Sequence, residues 1–220
     1  MLFRAPTSRQ EAPIAGEIIA ARGAAHKFGH HPAALAYALQ FEASLRQWDV
    51  IGQWIPISDS RPSAIIDGGK RWIGPMWSQI DDDLVLRLTP SKTEGISQAR
   101  VVFDLKAYPM VVEELARMPA TGRSGPLIVN PRTGLPYRHE YFRVLWHKCA
   151  AEVGISRSIW NRDLRAGGIT EARQAGASTD DVAKMAGHVS KRTTAKVYDR
   201  DTMEAARRVA KARIAHRNGA

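Results

Sequence analysis

Asn161-Arg-Asp-Leu-Arg165 begins the most informative part of this 220-residue sequence. If Asn161 caps a helix, Arg162 and Arg165 lie in its first turn and, three residues apart, on one face. Free amide donors, the positive end of a helix and two guanidinium groups together make a binding site for a phosphate. Arginine pairs on helices are more often simply solvated, so this segment gains its meaning only from the residues that follow it.

Two further segments follow in the last third of the chain. Gly187-His188 comes after a predicted helix over 162–175, a turn at Gly176-Ala-Ser178 and a second predicted helix over 179–186. Tyr198 then follows in Thr193-Thr-Ala-Lys-Val-Tyr198. Neither a Gly-His pair nor a tyrosine is informative alone, but the ordered set of basic residues, Gly-His and tyrosine is.

This ordered set resembles the second conserved box of the tyrosine recombinases, the phage-integrase family. The family pattern is a basic residue, two further residues, Arg, a helix-turn-helix, Gly-His and a nucleophilic tyrosine. The residues of this chain that match it are Arg162, Arg165, His188 and Tyr198. Arg162 stands where the family most often has His. The resemblance implies an α+β fold of the DNA breaking-rejoining type: a mostly helical catalytic domain with a small antiparallel β-sheet or hairpin inserted.

The resemblance extends upstream to the family's first box. Ala43-Ser-Leu-Arg46-Gln-Trp-Asp49 is similar to that box, in which an arginine inside a helix is followed three residues later by an acid. Ser44 replaces the usual glycine, and Asp49 replaces the usual glutamate and would orient an arginine. Lys92, in Ser91-Lys-Thr93 between two strand-like segments, matches the hairpin-tip lysine of the family. An additional loop and strand at 58–77 lengthen the gap between Arg46 and Lys92.

The chemistry implied by this resemblance is site-specific recombination, a DNA strand transfer of the type IB topoisomerase kind. Tyr198 would form a 3′-phosphotyrosine, Arg46 and Arg165 would clamp the phosphoryl oxygens, and His188 would donate a further hydrogen bond. Lys92 would protonate the departing 5′ oxygen. No cofactor and no metal is expected, because the sequence has neither a ligand cluster at metal-binding spacing nor a glycine-rich phosphate loop.

The charge balance favours a nucleic-acid partner. The chain has 32 Lys and Arg against 22 Asp and Glu, a formal net charge of +10. A basic surface attracts polyanions because neutralised phosphates release their counterions. We therefore expect double-stranded DNA as the partner, with Lys191, Arg192 and Lys196 on backbone phosphates. The resemblance adds self-association on DNA, up to a tetramer in synapsis.

Composition and the start of the chain exclude other classes of protein. The single cysteine, Cys149, rules out a disulfide scaffold and indicates a reducing compartment. Pro32–Phe41, the longest nearly uncharged apolar stretch, is too short to span a bilayer. No apolar segment follows Arg4, so the start is not typical of a signal peptide. We expect a protein of the bacterial cytoplasm or nucleoid, encoded by a phage or another mobile element, with no membrane partner.

We expect one catalytic domain over residues 1–220, with a lead-in and helix over 1–31, a catalytic core over 32–201 and a C-terminal helix and tail over 202–220. That helix either packs on its own domain or docks on a neighbouring protomer. The family's N-terminal core-binding domain is absent, which predicts a fragment or a truncated member. Predicted helices outside those already given cover 13–27, 32–45, 108–118, 139–153, a short piece before Tyr198, and 202–216; predicted strands cover 71–77, 84–88 and 100–105.

A non-catalytic helix-turn-helix DNA-binding or regulatory module, or an inactive integrase fragment, is the alternative. Residues 162–186 would suit such a motif, and so would the net charge. However, a binding module gives no role to Arg46, Lys92 or Tyr198. Its second helix would also present Asp180 and Asp181 to the phosphates, where acidic side chains are unfavourable.

Overall fold

The computed structural model describes residues 11–91, 100–118, 123–187 and 195–219, with the backbone alone for 195–202. The α-helices in these ranges are α1 (Ala15–Lys27), α2 (His31–Glu42), α3 (Gln47–Ile51), α4 (Pro109–Ala116), α5 (His139–Glu152), α6 (Leu164–Gln174), α7 (Thr179–Met185) and α8 (Ala195–Gly219). The strands are β1 (Gln53–Pro56), β2 (Ile66–Asp67), β3 (Lys70–Ile73), β4 (Val85–Leu88) and β5 (Val101–Asp104). Helices dominate and the strands are short and antiparallel, which confirms the predicted α+β fold. None of the described helices has the length and apolarity that crossing a bilayer requires.

Helix α2 lies at the centre of the core. Every residue from Pro32 to Glu42 is buried, as expected for a helix that is apolar on all sides. It packs against α1, α4 and α6. Gly167 and Gly168 allow the last of these contacts, since a Cβ at Gly168 would lie 1.9 Å from the Phe41 carbonyl oxygen. The backbones of α2 and α6 therefore touch, which brings the first turn of α6 to the end of α2.

The strands form two sheets, where the sequence predicted a single small one. β3 pairs with β1 on one side and with β2 on the other, while β4 and β5 form a separate hairpin. Strand β1 was not predicted, and β2 lies within the predicted loop. Trp72 of β3 is buried in the first sheet and donates from Nε1 to the Ile51 carbonyl at 2.9 Å, which joins this sheet to the end of α3. We call β1–β3 the inserted sheet, because it lies between Arg46 and the β4–β5 hairpin.

The C-terminal region is one helix, α8, so the prediction of a short piece before Tyr198 and a separate helix over 202–216 is wrong. Ala205, Ala206 and Val209 are buried, and α8 packs on α7 and β5 of its own chain. Arg213 is also buried; it pairs with Glu171 of α6 and donates from Nη1 to the Glu42 carbonyl at 2.6 Å. The helix that contains Tyr198 is thus anchored to the end of α2.

Candidate active site

Arg46 lies at the N-cap of α3 and not inside a helix as predicted. Helix α2 ends at Glu42, and Ser44 then takes a left-handed backbone conformation with φ of 51°. Glycine adopts this conformation most readily, which explains why the family's first box, which this segment resembles, usually has glycine at the position of Ser44. The Ser44 side chain is fully buried, and its hydroxyl has no hydrogen-bond partner among the described residues. This turn directs the chain into α3.

Arg165 joins two separate segments of the site. It lies in the first turn of α6 and donates from Nη1 to the Ser44 carbonyl and from Nη2 to the Ala186 carbonyl, the latter at 2.7 Å. Burial and, second, the neighbouring Arg46 guanidinium lower the pKa of Arg165 to about 10, while Asp49 acts in the opposite direction. The Arg165 guanidinium therefore stays charged at neutral pH. An anion bound between the Arg46 and Arg165 guanidinium groups would relieve their repulsion.

Asp49 connects the Arg46 segment to the hairpin. Its Oδ2 lies 3.6 Å from Arg46 Nη1, and its Oδ1 accepts a hydrogen bond from the Ser91 amide at 2.7 Å. The Asp49 side chain is almost fully buried. Lys92, the residue after Ser91, lies outside the described residues. The carboxylate nevertheless fixes the point at which the chain leaves β4 toward Lys92, next to Arg46.

Gly187, the last described residue before His188 in the sequence, lies next to the base of the hairpin. Its φ is 63°, and a Cβ there would lie 3.6 Å from Pro90 Cγ, at the base of the hairpin. His188, Lys191 and Arg192 lie outside the described residues. Lys196 and Tyr198 belong to α8, and nothing is described of their side chains.

The start of α6 differs from the sequence-based expectation. Asn161 does not cap the helix; residues Asn161–Asp163 form a 3-10 turn, in which Asp163 accepts from the Trp160 amide at 2.7 Å. Arg162 is exposed on this turn, and its guanidinium lies 4.7 Å from the centre of the Trp160 ring. The structure thus brings Arg46, Asp49 and Arg165 together. Arg162 instead packs on the Trp160 ring, just before the start of α6.

Backbone groups are the part of the site that residue patterns did not indicate. The carbonyls of Ser44 and Ala186 and the amide of Ser91 hold the charged side chains in place. Every residue carries these groups, so no residue type marks them. Within the described ranges, no three His, Cys, Asp or Glu side chains come together as a metal site.

The described part of the chain, a helical body with a small sheet and a hairpin, has the fold of solved phage integrase catalytic domains. An integrase from mycobacterium phage Brujita is similar, with a TM-score of 0.60 and 17% identity over 94% of this chain and 60% of that one. The lambda integrase catalytic core is similar at a TM-score of 0.57 and 16% identity, over 81% of this chain and 96% of that one. Lambda integrase as a dimer bound to a COC′ core site gives a TM-score of 0.58 and 16% identity, over 86% of this chain and 62% of that one.

No protein-family model and no curated protein sequence matches the chain. Identities of 16–17% establish likeness of fold. The chain spans 60% of the length of the mycobacteriophage integrase but nearly all of the lambda catalytic core, so its fold is that of the core.

Proposed function

We propose that this chain is a site-specific DNA recombinase that cleaves and rejoins DNA through a 3′-phosphotyrosine on Tyr198. The observation that carries the proposal is the convergence of Arg46 and Arg165 around Ser44 and Asp49. Two permanently charged planar donors at one place match the two non-bridging oxygens of a phosphodiester. The likeness of the fold to that of lambda integrase bound to DNA supports the same substrate class.

Each residue of the constellation has a role in this proposal. The Tyr198 oxygen attacks phosphorus and loses its proton, the bond to the 5′ oxygen breaks, and Lys92 gives that oxygen a proton. Arg46, Arg165 and His188 stabilise the charge on the phosphoryl oxygens. Arg162 contacts the phosphate as a charged donor only, since a guanidinium does not exchange protons near neutral pH. Asp49 orients Arg46 and keeps the hairpin next to it.

Double-stranded DNA is the partner in this proposal. Lys191, Arg192 and Lys196 contact backbone phosphates, which position the duplex without reading its sequence. The protein self-associates on DNA and acts in the bacterial cytoplasm. A helix-turn-helix module is less well supported, because Asp181 of α7 is already paired with Arg208 of α8 at 2.7 Å and α7 packs on its own chain.

Capture of a covalent adduct tests the proposal. The protein is incubated with a library of nicked duplexes of randomised sequence, in which cleavage releases a short fragment and traps the enzyme on DNA. We expect a denaturation-resistant protein–DNA band that disappears in Tyr198→Phe. Sequencing of the trapped strands then identifies the duplex that the protein prefers. Absence of an adduct with the unaltered protein, or its persistence in Tyr198→Phe, would refute the assignment of Tyr198.

Arginine variants test the site itself. Arg46→Ala should lower the rate of adduct formation by about 100-fold or more, the range for removing one donor to a developing oxyanion. Its effect on duplex affinity should be modest, because many other phosphate contacts remain. Arg117→Ala, at the exposed C-terminal end of α4, is the matched control and should leave the rate unchanged. Circular dichroism must show that both variants fold; a folded Arg46→Ala with a normal rate would contradict the proposal.

A further inference from the structure

Trp48 is a feature that the cleavage chemistry does not use. It lies on α3, two residues after Arg46, and 38% of its surface is exposed. Other exposed large apolar side chains, such as Ile14, Ile66 and Val144, lie on segments away from the charged cluster. An exposed indole beside a charged site offers an apolar, aromatic face to whatever binds there.

The indole is held in place from α5. The rings of Trp48 and His139 lie 4.9 Å apart between their centres and are inclined by 32°. His139 is held in turn by Gln47, whose side-chain amide nitrogen lies 3.0 Å from His139 Nδ1. Because an amide nitrogen only donates, His139 Nδ1 is the acceptor of this hydrogen bond. The contact with His139 thus limits the rotation of the Trp48 ring, and a prealigned ring loses little entropy when a ligand stacks on it.

Trp48 lines a groove between the inserted sheet and the hairpin. The groove has a volume of about 180 Å³, on the scale of one nucleobase, and Asp49, Thr89 and Ser91 are among its other lining residues. The same Asp49 carboxylate contacts Arg46, so the groove opens directly beside the proposed phosphate position. Its other wall ends at Ser91, immediately before Lys92, the proposed donor to the departing oxygen.

We propose that Trp48, supported by His139, is a stacking platform for the nucleotide that carries the departing 5′ oxygen. This inference rests on the proposed function. Once cleavage has broken the bond to phosphorus, that nucleotide is a free strand end and its base is able to leave the duplex stack. Tryptophan binds bases of any sequence through their π faces, and Ser91, which lines the groove, directly precedes Lys92, the proposed proton donor to the 5′ oxygen.

The platform acts in the joining step. There the 5′-hydroxyl oxygen forms a bond to phosphorus, the bond from phosphorus to the Tyr198 oxygen breaks, and the hydroxyl proton ends on the tyrosine. Stacking of the terminal base on Trp48 holds the attacking hydroxyl near the phosphotyrosine, which raises its effective concentration. The predicted effect is therefore on the concentration of strand needed for joining and not on cleavage.

A cycle that combines a protein change with a DNA change tests this contact. The trapped adduct is mixed with increasing concentrations of a 5′-hydroxyl strand whose first nucleotide is either intact or abasic, and the rate of joining is measured. With the intact strand, Trp48→Ala should raise the half-saturating concentration about tenfold, and Trp48→Phe should restore most of the loss. Removing the base should raise the half-saturating concentration of the unaltered protein by about the same factor. The same removal should leave the half-saturating concentration of Trp48→Ala almost unchanged.

A merely structural role for Trp48 gives a different result. The effects of the two changes would then multiply, because the abasic strand would raise the half-saturating concentration by the same factor in both proteins. This outcome would overturn the proposal that Trp48 is a stacking platform. Equal half-saturating concentrations for Trp48→Ala and the unaltered protein would overturn it as well. Val112→Ala, at another partly exposed apolar residue, on α4, controls for general surface effects and should match the unaltered protein. Failure to form any adduct would instead refute the proposed function, which separates the two claims.

Discussion

Gly168→Ala perturbs the contact between α6 and α2 on which the position of Arg165 depends. A Cβ at residue 168 would lie 1.9 Å from the Phe41 carbonyl oxygen and 3.0 Å from Ser44 Oγ, whereas real Cβ contacts are essentially never below 3.0 Å. The Phe41 carbonyl belongs to the backbone and also accepts a hydrogen bond from Arg213 Nη1 at 3.2 Å. It is therefore unable to move aside alone, and α6 has to shift away from α2 by more than 1 Å.

The cost follows from the geometry of that shift. Overpacking a close-packed core lowers the free energy of unfolding by about 1–3 kcal/mol, and by more where backbone has to move. For Gly168→Ala we therefore expect a decrease near the upper end, about 3 kcal/mol. In a domain of this size each kcal/mol lowers Tm by about 2–4 °C, which predicts a fall of about 6–12 °C. The same shift separates Arg165 from the Ser44 carbonyl. Phosphotyrosine formation should therefore fall further than the loss of folded protein explains.

Thermal unfolding followed by circular dichroism, with Gly23→Ala as the matched control, provides the assay. Gly23 lies inside α1, and no described atom comes within 4 Å of the added Cβ. The control substitution should stabilise the protein by about 0.5–1 kcal/mol through helix propensity. A Gly168→Ala protein that melts at or above the temperature of the unaltered protein would refute the close contact between the two helices.

Three further substitutions or modifications have defined outcomes. Ser44→Gly should raise the free energy of unfolding in urea by about 1 kcal/mol, because a Cβ is strained at its φ of 51°; a decrease would contradict the turn. Burial raises the pKa of Glu171, but Arg217 and Arg213 outweigh it and the net shift is downward. The stability that depends on this carboxylate is thus present above its unfolded pKa and is lost as the pH falls through the folded value, so Glu171→Gln should be less stable at neutral pH and approach the unaltered protein as the pH falls below that value. Burial raises the pKa of the Cys149 thiol to about 11, so a disulfide reagent should label it only after unfolding; rapid labelling of the native protein would show otherwise.

The extent of sequence-based prediction differs between helices and strands. Helices α1, α5, α6 and α7 were predicted within a few residues, since their capping and apolar periodicity are local properties. Strand β1 was missed because its pairing with β3 joins residues far apart in the chain, such as Trp54 and Trp72, which are 18 residues apart. The end of α2 was also misplaced, because a serine gives no local sign that it will take a left-handed conformation.

The candidate site shows the same division. Arg46, Asp49 and Arg165 were named from the resemblance to the two boxes of the recombinase family, and the structure brings them together. The backbone groups that hold Arg165 in place were not predictable, since the Ser44 and Ala186 carbonyls become its acceptors only when three distant segments of the chain meet.

The order of residue types along the chain was sufficient for the α+β fold class and the basic character of the protein, because both are properties of composition or of short-range pattern, whereas the candidate phosphate ligands were assigned from a family resemblance. The packing of α8 on its own domain was decided only in three dimensions. That choice depends on Arg213, which leaves water to bind Glu171 and the carbonyls at the end of α2. A buried arginine is stable only where all of these partners converge, and convergence of residues so far apart is a property of tertiary structure alone.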